Sequence, residues 1–196
     1  MGYILLRISI VLATLLVLFL LIVKKWINKT AFFALLAMVV GLSLILCNTP
    51  FENSFFTFSS PQEVFDYAKQ GELIDTVEGV DSVAMISKEN NTYSIFFAKK
   101  VSDGYKIMPL KSISKQSIKQ WDSINLCIYR ISGTDDFYLR VWGVTENEIV
   151  FSDCQNSDFS PIYEDFSNKK IVNCVAIIDY EDGYYCSLDG NPIVFD

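Results

Sequence analysis

The chain contains no histidine, so the side chains left to do chemistry are carboxylates, thiols and tyrosines. Without imidazole, neither a Ser-His-Asp nor a Cys-His nucleophile can be assembled, and the usual proton carrier near neutral pH is missing. Acids cluster at Asp135/Asp136, Glu146/Glu148, Glu164/Asp165 and Asp179/Glu181/Asp182. Calcium would need several of their oxygens converging on one ion, and "DYEDG" departs from the EF-hand spacing at Gly183. A glycosidase would need two carboxylates facing each other across a cleft, and nothing in the spacing pairs any two. The acids read as solvated turns. No catalytic residue, metal ligand or cofactor-binding residue is assigned, no cofactor is expected, and the chain reads as a non-enzyme.

Cys127, Cys154, Cys174 and Cys186 are the candidate disulfide partners. Their gaps of 27, 20 and 12 positions contain no close pair of the kind that holds zinc. Four cysteines allow three pairings, and both two disulfides and buried free thiols stay open. If "YEDG" closes a hairpin, Cys186 falls opposite Ile177 and Cys174 opposite Asp189, too far apart for a direct bridge. Cys47 reads as a passive apolar residue. Tyr129, Tyr138, Trp142, Tyr184 and Tyr185 lie on expected strands and form a candidate binding surface for glycan or peptide. Aromatics at such spacing also fill cores or pair across sheets. Neither a P-loop nor a Rossmann glycine pattern is present.

The elements that would position these residues follow from how charge is distributed. Residues 1–47 carry Arg7, Lys24, Lys25, Lys29 and no acid. All 23 acids lie beyond them against 12 of the 16 Lys and Arg, a balance of −11 that opposes nucleic-acid binding. Two apolar runs, 3–23 and 31–47, have the ~20-residue length of a membrane span. A signal peptide is the rival reading of the second run, but Leu46 before Cys47 is too large for a lipoprotein site, and both runs read as retained. Lys24, Lys25 and Lys29 in the connector set the topology by the positive-inside rule, with both termini outside. The short connector makes a helical hairpin, and Ser9, Ala13, Ala34, Ala37 and Gly41 are the expected packing residues, Ala13 meeting Gly41.

Residues 48–59 form an aromatic linker to a domain over 60–196. "SSPQEVFDYAKQG" has Ser60 as cap, Pro61 in the first turn, Glu63 completing a capping box and Gly71 as stop. It predicts a helix of about ten residues with Val64, Tyr67 and Ala68 inward. Three later segments alternate with period two and break at "ENN", "SDG", "GTDD", "TENE", "YEDG" and "DGN". Each reads as three strands joined by tight turns, while "LKSISKQSIKQW" reads as a short helix. The class expected is α+β: a two-helix transmembrane hairpin followed by a mainly antiparallel β domain with one or two short helices.

The order "SPQEVFDYAKQGELIDTVEGVDSVAMI" followed by hairpins resembles small membrane-anchored proteins of low-GC Gram-positive bacteria, over about residues 59–110. The resemblance implies a bacterial outer-surface location and contributes no catalytic residue. Taken together, the expectation is a protein of the bacterial plasma membrane with two spans. It would display an extracytoplasmic domain that binds another envelope protein or a wall component, with membrane lipid as its other partner and no nucleic acid. The alternatives are an accessory subunit of a membrane transporter or sensor complex, and a carboxylate-based hydrolase.

Overall fold

The computed structural model describes residues 2–24, 28–48, 50–69 and 71–195, with side chains in the N-terminal part described only at 8–24, 28, 30–41 and 50. Two helices open the chain, α1 (Gly2–Val23) and α2 (Lys29–Asn48). The α2 start carries a cap that the charge pattern hid: Asn28 Oδ1 accepts from Ala31 N at 2.8 Å. The helices pack on each other, with Leu18 buried and Val11, Thr14, Leu21, Leu35, Leu36 and Val39 half-buried. Of the five expected packing residues, Ser9, Ala13, Ala34 and Ala37 are exposed instead. A Cβ added at Gly41 would meet nothing within 4 Å. Among the described side chains, the larger ones are those shielded in this helical pair.

Among the described residues, no helix is long and apolar enough to cross a membrane. The expected transmembrane hairpin, and the two-span plasma-membrane location drawn from it, are corrected accordingly. Lys25 lies outside the described residues, as does the side chain of Lys29, while Lys24 follows α1 and donates its amide to Leu20 O at 3.0 Å.

The rest is mainly β, three antiparallel sheets rather than an α+β arrangement. Helix α3 (Pro61–Ala68) forms as its signals predict, with Glu63 N donating to Ser60 Oγ at 3.2 Å. The Glu63 carboxylate reaches back to Ser59 N at 2.9 Å, one residue earlier than a standard box. Sheet A holds β1 (Glu72–Glu78), β2 (Ser82–Glu89), β3 (Thr92–Val101) and β4 (Gly104–Ile107), in that order. Sheet B runs β5 (Ile113–Trp121), β6 (Ile124–Ile131), β7 (Phe137–Thr145), β10 (Lys169–Ile178), β9 (Ile162–Phe166). Sheet C places β11 (Tyr185–Leu188) between β12 (Asn191–Val194) and β8 (Phe151–Asp153).

Side-chain alternation stacks these sheets into layers. On β6, Leu126 and Ile128 point with Leu139, Val141 and Cys174 toward sheet C, meeting Cys186, Leu188 and Phe195. The intervening Cys127, Tyr129 and Ile131 point the other way with Tyr138 and Val175, meeting Ala84, Ile86 and Phe97 of sheet A. The outer face of sheet A, with Val83, Met85, Phe96 and Ala98, is covered by Val64 and Phe65 of α3. Sheet B is thus buried on both faces, and each large apolar side chain fully enclosed there contributes roughly 1.5–3 kcal/mol.

Three expectations fail for reasons of connectivity. "LKSISKQSIKQW" is a 3-10 turn at Leu110–Ser112 followed by edge strand β5, not a helix. A bulge between Lys115 and Ser117 breaks its alternation and imitates helical spacing. "TENE" and "YEDG" do not close hairpins: β8 and β11 pair with each other in sheet C. The "ENN" turn does close β2 onto β3, with Asn90 and Asn91 at φ 48° and 62°.

The aromatic linker closes the β4 edge of sheet A. Phe58 and Tyr105 exchange backbone hydrogen bonds at 2.9 and 2.8 Å. Asn53 imitates a strand residue, accepting from Ile107 N at 2.9 Å and donating to Ile107 O at 2.7 Å. Gly104 is required at this seam, since its φ is +136° and a Cβ there would lie 2.1 Å from Phe58 O. Gly104→Ala is therefore expected to release the linker and cost about 2 kcal/mol. Amide exchange at Phe58 and Ile107 should accelerate at least tenfold; unchanged protection would show that the seam does not depend on Gly104.

Candidate functional site

Where sheets A and B meet, β3, β5, β6 and β7 leave a cleft of about 400 Å³. It is lined by Phe97, Tyr129, Ile113, Leu110, Lys115 and Arg140, together with Tyr93, Ser94 and Ile95. Arg140 lies between Cys127 of β6 and Val175 of β10 in the sheet B register. Strand alternation turns it, with Tyr138 and Trp142, toward sheet A. The side chain is only 8% exposed. Its Nη2 donates to Tyr93 O at 3.1 Å and to Asn173 Oδ1 at 3.4 Å, and the guanidinium stands 4.7 Å from the Trp142 ring centre.

Those contacts leave its charge uncompensated. Among the described residues Arg140 pairs with no carboxylate, and its buried Nε has no hydrogen-bond partner. Burial pulls the guanidinium pKa down while the neighbouring Tyr129 hydroxyl raises it. An arginine side chain stays protonated in proteins, so the charge has to be met by dipoles or by something that enters the cleft. Burial also pushes the Tyr129 hydroxyl and the Cys127 thiol up, so both stay protonated at neutral pH. Lys115 is exposed at the cleft mouth beside the β5 bulge. Tyr93 is half-buried between sheets A and B, its hydroxyl donating to Glu164 of β9 at 2.8 Å while Lys88 holds the other carboxylate oxygen at 2.5 Å.

The expected binding surface is dispersed. Tyr129, Tyr138 and half-buried Trp142 lie between sheets A and B, whereas Tyr184 is buried against sheet C and Tyr185 is 39% exposed. They share no exposed platform; of the five, only Tyr129 lines the cleft. The four cysteines of the β region are free thiols, Cys154 exposed and the other three buried. Burial holds Cys174 and Cys186 up at about 12, so neither is a thiolate at neutral pH.

The acids also divide. Asp135, Glu146, Glu148, Asp165, Asp179, Glu181 and Asp182 are exposed. Asp136, at 2% exposure, is not a solvated turn residue but a buried clasp. Its oxygens accept from Val80 N at 2.8 Å, Asp81 N at 3.0 Å and Ser82 Oγ at 2.5 Å, tying the β1–β2 loop to the β6–β7 turn. Asp153 does the same in sheet C, where Gln155 N, Ser157 N and Tyr184 Oη donate to it at 3.0, 2.9 and 2.9 Å. Burial raises its carboxyl pKa, and these bonds outweigh that and hold it below the ordinary range. Among the described residues, no three His, Cys, Asp or Glu side chains are placed to hold a metal ion.

Arg140 carries no sequence signal. Its neighbours "FYLRVWG" read as any half-buried strand, and the one hint is a cation on the buried phase of the alternation. Comparison with protein-family models, characterised proteins and solved structures returns no match.

Proposed function

We propose that the β region is a recognition module whose cleft between sheets A and B receives a segment of a partner protein or a wall component. The observation that supports this is the make-up of the cleft. Phe97, Tyr129, Ile113 and Leu110 supply apolar and aromatic contact, and one buried cation supplies a fixed polar anchor. Concave apolar sites with few placed polar groups are the usual form of binding sites. Leu110, 73% exposed at the cleft, is an apolar side chain with little else to cover it.

The test is site-specific cross-linking in the native cell. Benzoylphenylalanine at Leu110 should capture a discrete adduct that the same group at Val194, 50% exposed in sheet C, does not. Equal capture at both positions, or none at Leu110, overturns the reading.

A specific observation favours a second reading, an accessory subunit that docks through its helices. Ala13, Ala34 and Ala37 face away from the neighbouring helix, beside Leu12, Leu16, Phe33 and Met38, which are 59–64% exposed. Contiguous exposed apolar side chains of this size mark an interaction surface. Capture from Ala37 in place of Leu110 would select this reading.

A further inference from the structure

We propose that the cleft takes a carboxylate, presented by an otherwise apolar peptide segment, and that Arg140 is the residue that holds it with Lys115 closing over the mouth. This rests on the recognition reading above and names the chemistry of its ligand.

Arg140 is more than nine-tenths buried and lines an open cleft, while its Nε finds no acceptor in the protein. Both contacts of its Nη2 are to neutral oxygens, Tyr93 O and Asn173 Oδ1. A buried cation anchored only by neutral acceptors is a poor contribution to the fold and a good one to binding. An entering anion gains a charge-assisted hydrogen bond from a donor that is already desolvated and held in place. Trp142 behind the guanidinium and Asn173 beside it keep the donor from swinging away when the cleft is empty.

Charge decides which anion. One buried cation and one exposed cation match a single negative charge better than a phosphate dianion. The balance of −11 beyond residue 47 repels long polyanions at a distance, so a polyphosphate or nucleic-acid chain is selected against. Apolar walls made by Phe97, Ile113 and Leu110 suit the hydrocarbon that flanks the carboxylate in a peptide. Two sources share this chemistry, a peptide C-terminus and an Asp or Glu side chain.

The experiment follows the Arg140 Nε–H resonance of the full-length protein by nitrogen-edited NMR. Three probes are titrated: N-acetylphenylalanine, with a terminal carboxylate; N-acetyl-aspartyl-phenylalanine amide, with a side-chain carboxylate; and N-acetylphenylalanine amide, with none. The expected result is a saturable downfield shift with one or both carboxylates and none with the amide. The better of the two carboxylates identifies the source. Lys115→Gln, on the exposed rim, should weaken that binding about threefold without touching the fold. Inorganic phosphate producing the same shift at lower concentration, or no shift with any anion, overturns the proposal. If Leu110 still captures a partner in the cell while the Nε–H resonance ignores carboxylates, the recognition reading stands and the carboxylate alone is lost.

Discussion

Replacing Asp136 with alanine should cost the fold about 3–5 kcal/mol, the largest loss expected from any single side chain outside the apolar core. The magnitude follows from what the carboxylate leaves behind. Val80 N, Asp81 N and the Ser82 hydroxyl all donate to it, and Ser82 is fully enclosed. A buried donor stripped of its acceptor costs roughly 1–3 kcal/mol, and the carboxylate itself, 2% exposed, leaves a cavity behind. The site is also sterically tight. A Cβ added at Gly79 would lie 2.4 Å from the Tyr138 hydroxyl and 2.7 Å from the Asp136 carboxylate. Ser82→Ala should cost less, about 1–3 kcal/mol: the carboxylate keeps two donors, but the buried Tyr138 hydroxyl, 2.9 Å from Ser82 Oγ, loses its partner. Urea unfolding of the two variants checks this. A loss below about 1 kcal/mol for Asp136→Ala would mean that the clasp contributes nothing to holding the β1–β2 loop against sheet B.

The second large effect has the opposite sign. Arg140→Met should stabilise the protein by about 1–3 kcal/mol while abolishing carboxylate binding in the cleft. Methionine fills a similar volume between Trp142 and the β3 backbone, and its flexible thioether adapts to gaps. The charge that now sits buried without a counter-ion disappears. Against this stand two lost hydrogen bonds, to Tyr93 O and Asn173 Oδ1 at 3.1 and 3.4 Å, the longer of which is weak by its geometry. Thermal or urea unfolding reads the stability, and the N-acetylphenylalanine titration reads the function. A less stable Arg140→Met would show that the guanidinium is a structural link between sheets A and B. Its uncompensated charge would then need another explanation.

The two substitutions contrast buried charges of opposite function. Asp136 accepts from three donors of the β1–β2 loop and the start of β2, and its removal strands them. Arg140 is held by two neutral acceptors, Tyr93 O and Asn173 Oδ1, and its Nε has no partner. A satisfied buried charge supports the fold, whereas the unsatisfied one beside the cleft is the premise of the carboxylate proposal.

Local chemistry alone was enough to place several elements. Ser60, Pro61 and Glu63 announced α3 because a helix start is decided within four residues. "ENN" and "DGN" announced hairpins because left-handed backbone at Asn90, Asn91, Asp189 and Gly190 is a property of single residues. The charge asymmetry likewise marked where the apolar helical segment ends and the acidic β region begins. It did not establish a membrane crossing, since among the described residues no helix is long and apolar enough for one.

Which sheet each strand joins was settled only at long range. β8 and β11 lie more than thirty residues apart, and they pair because Phe151 and Leu188 come into register over the hydrophobic layer between sheets B and C. No tight turn signals that contact. The same holds for Arg140 and Asp136. On paper they are one more strand cation and one more turn acid; burial by a second sheet made the acid a clasp and left the cation without a counter-ion among the described residues. Desolvation is a collective quantity, set by what other segments exclude from water, and a residue's own neighbours in the chain do not carry it.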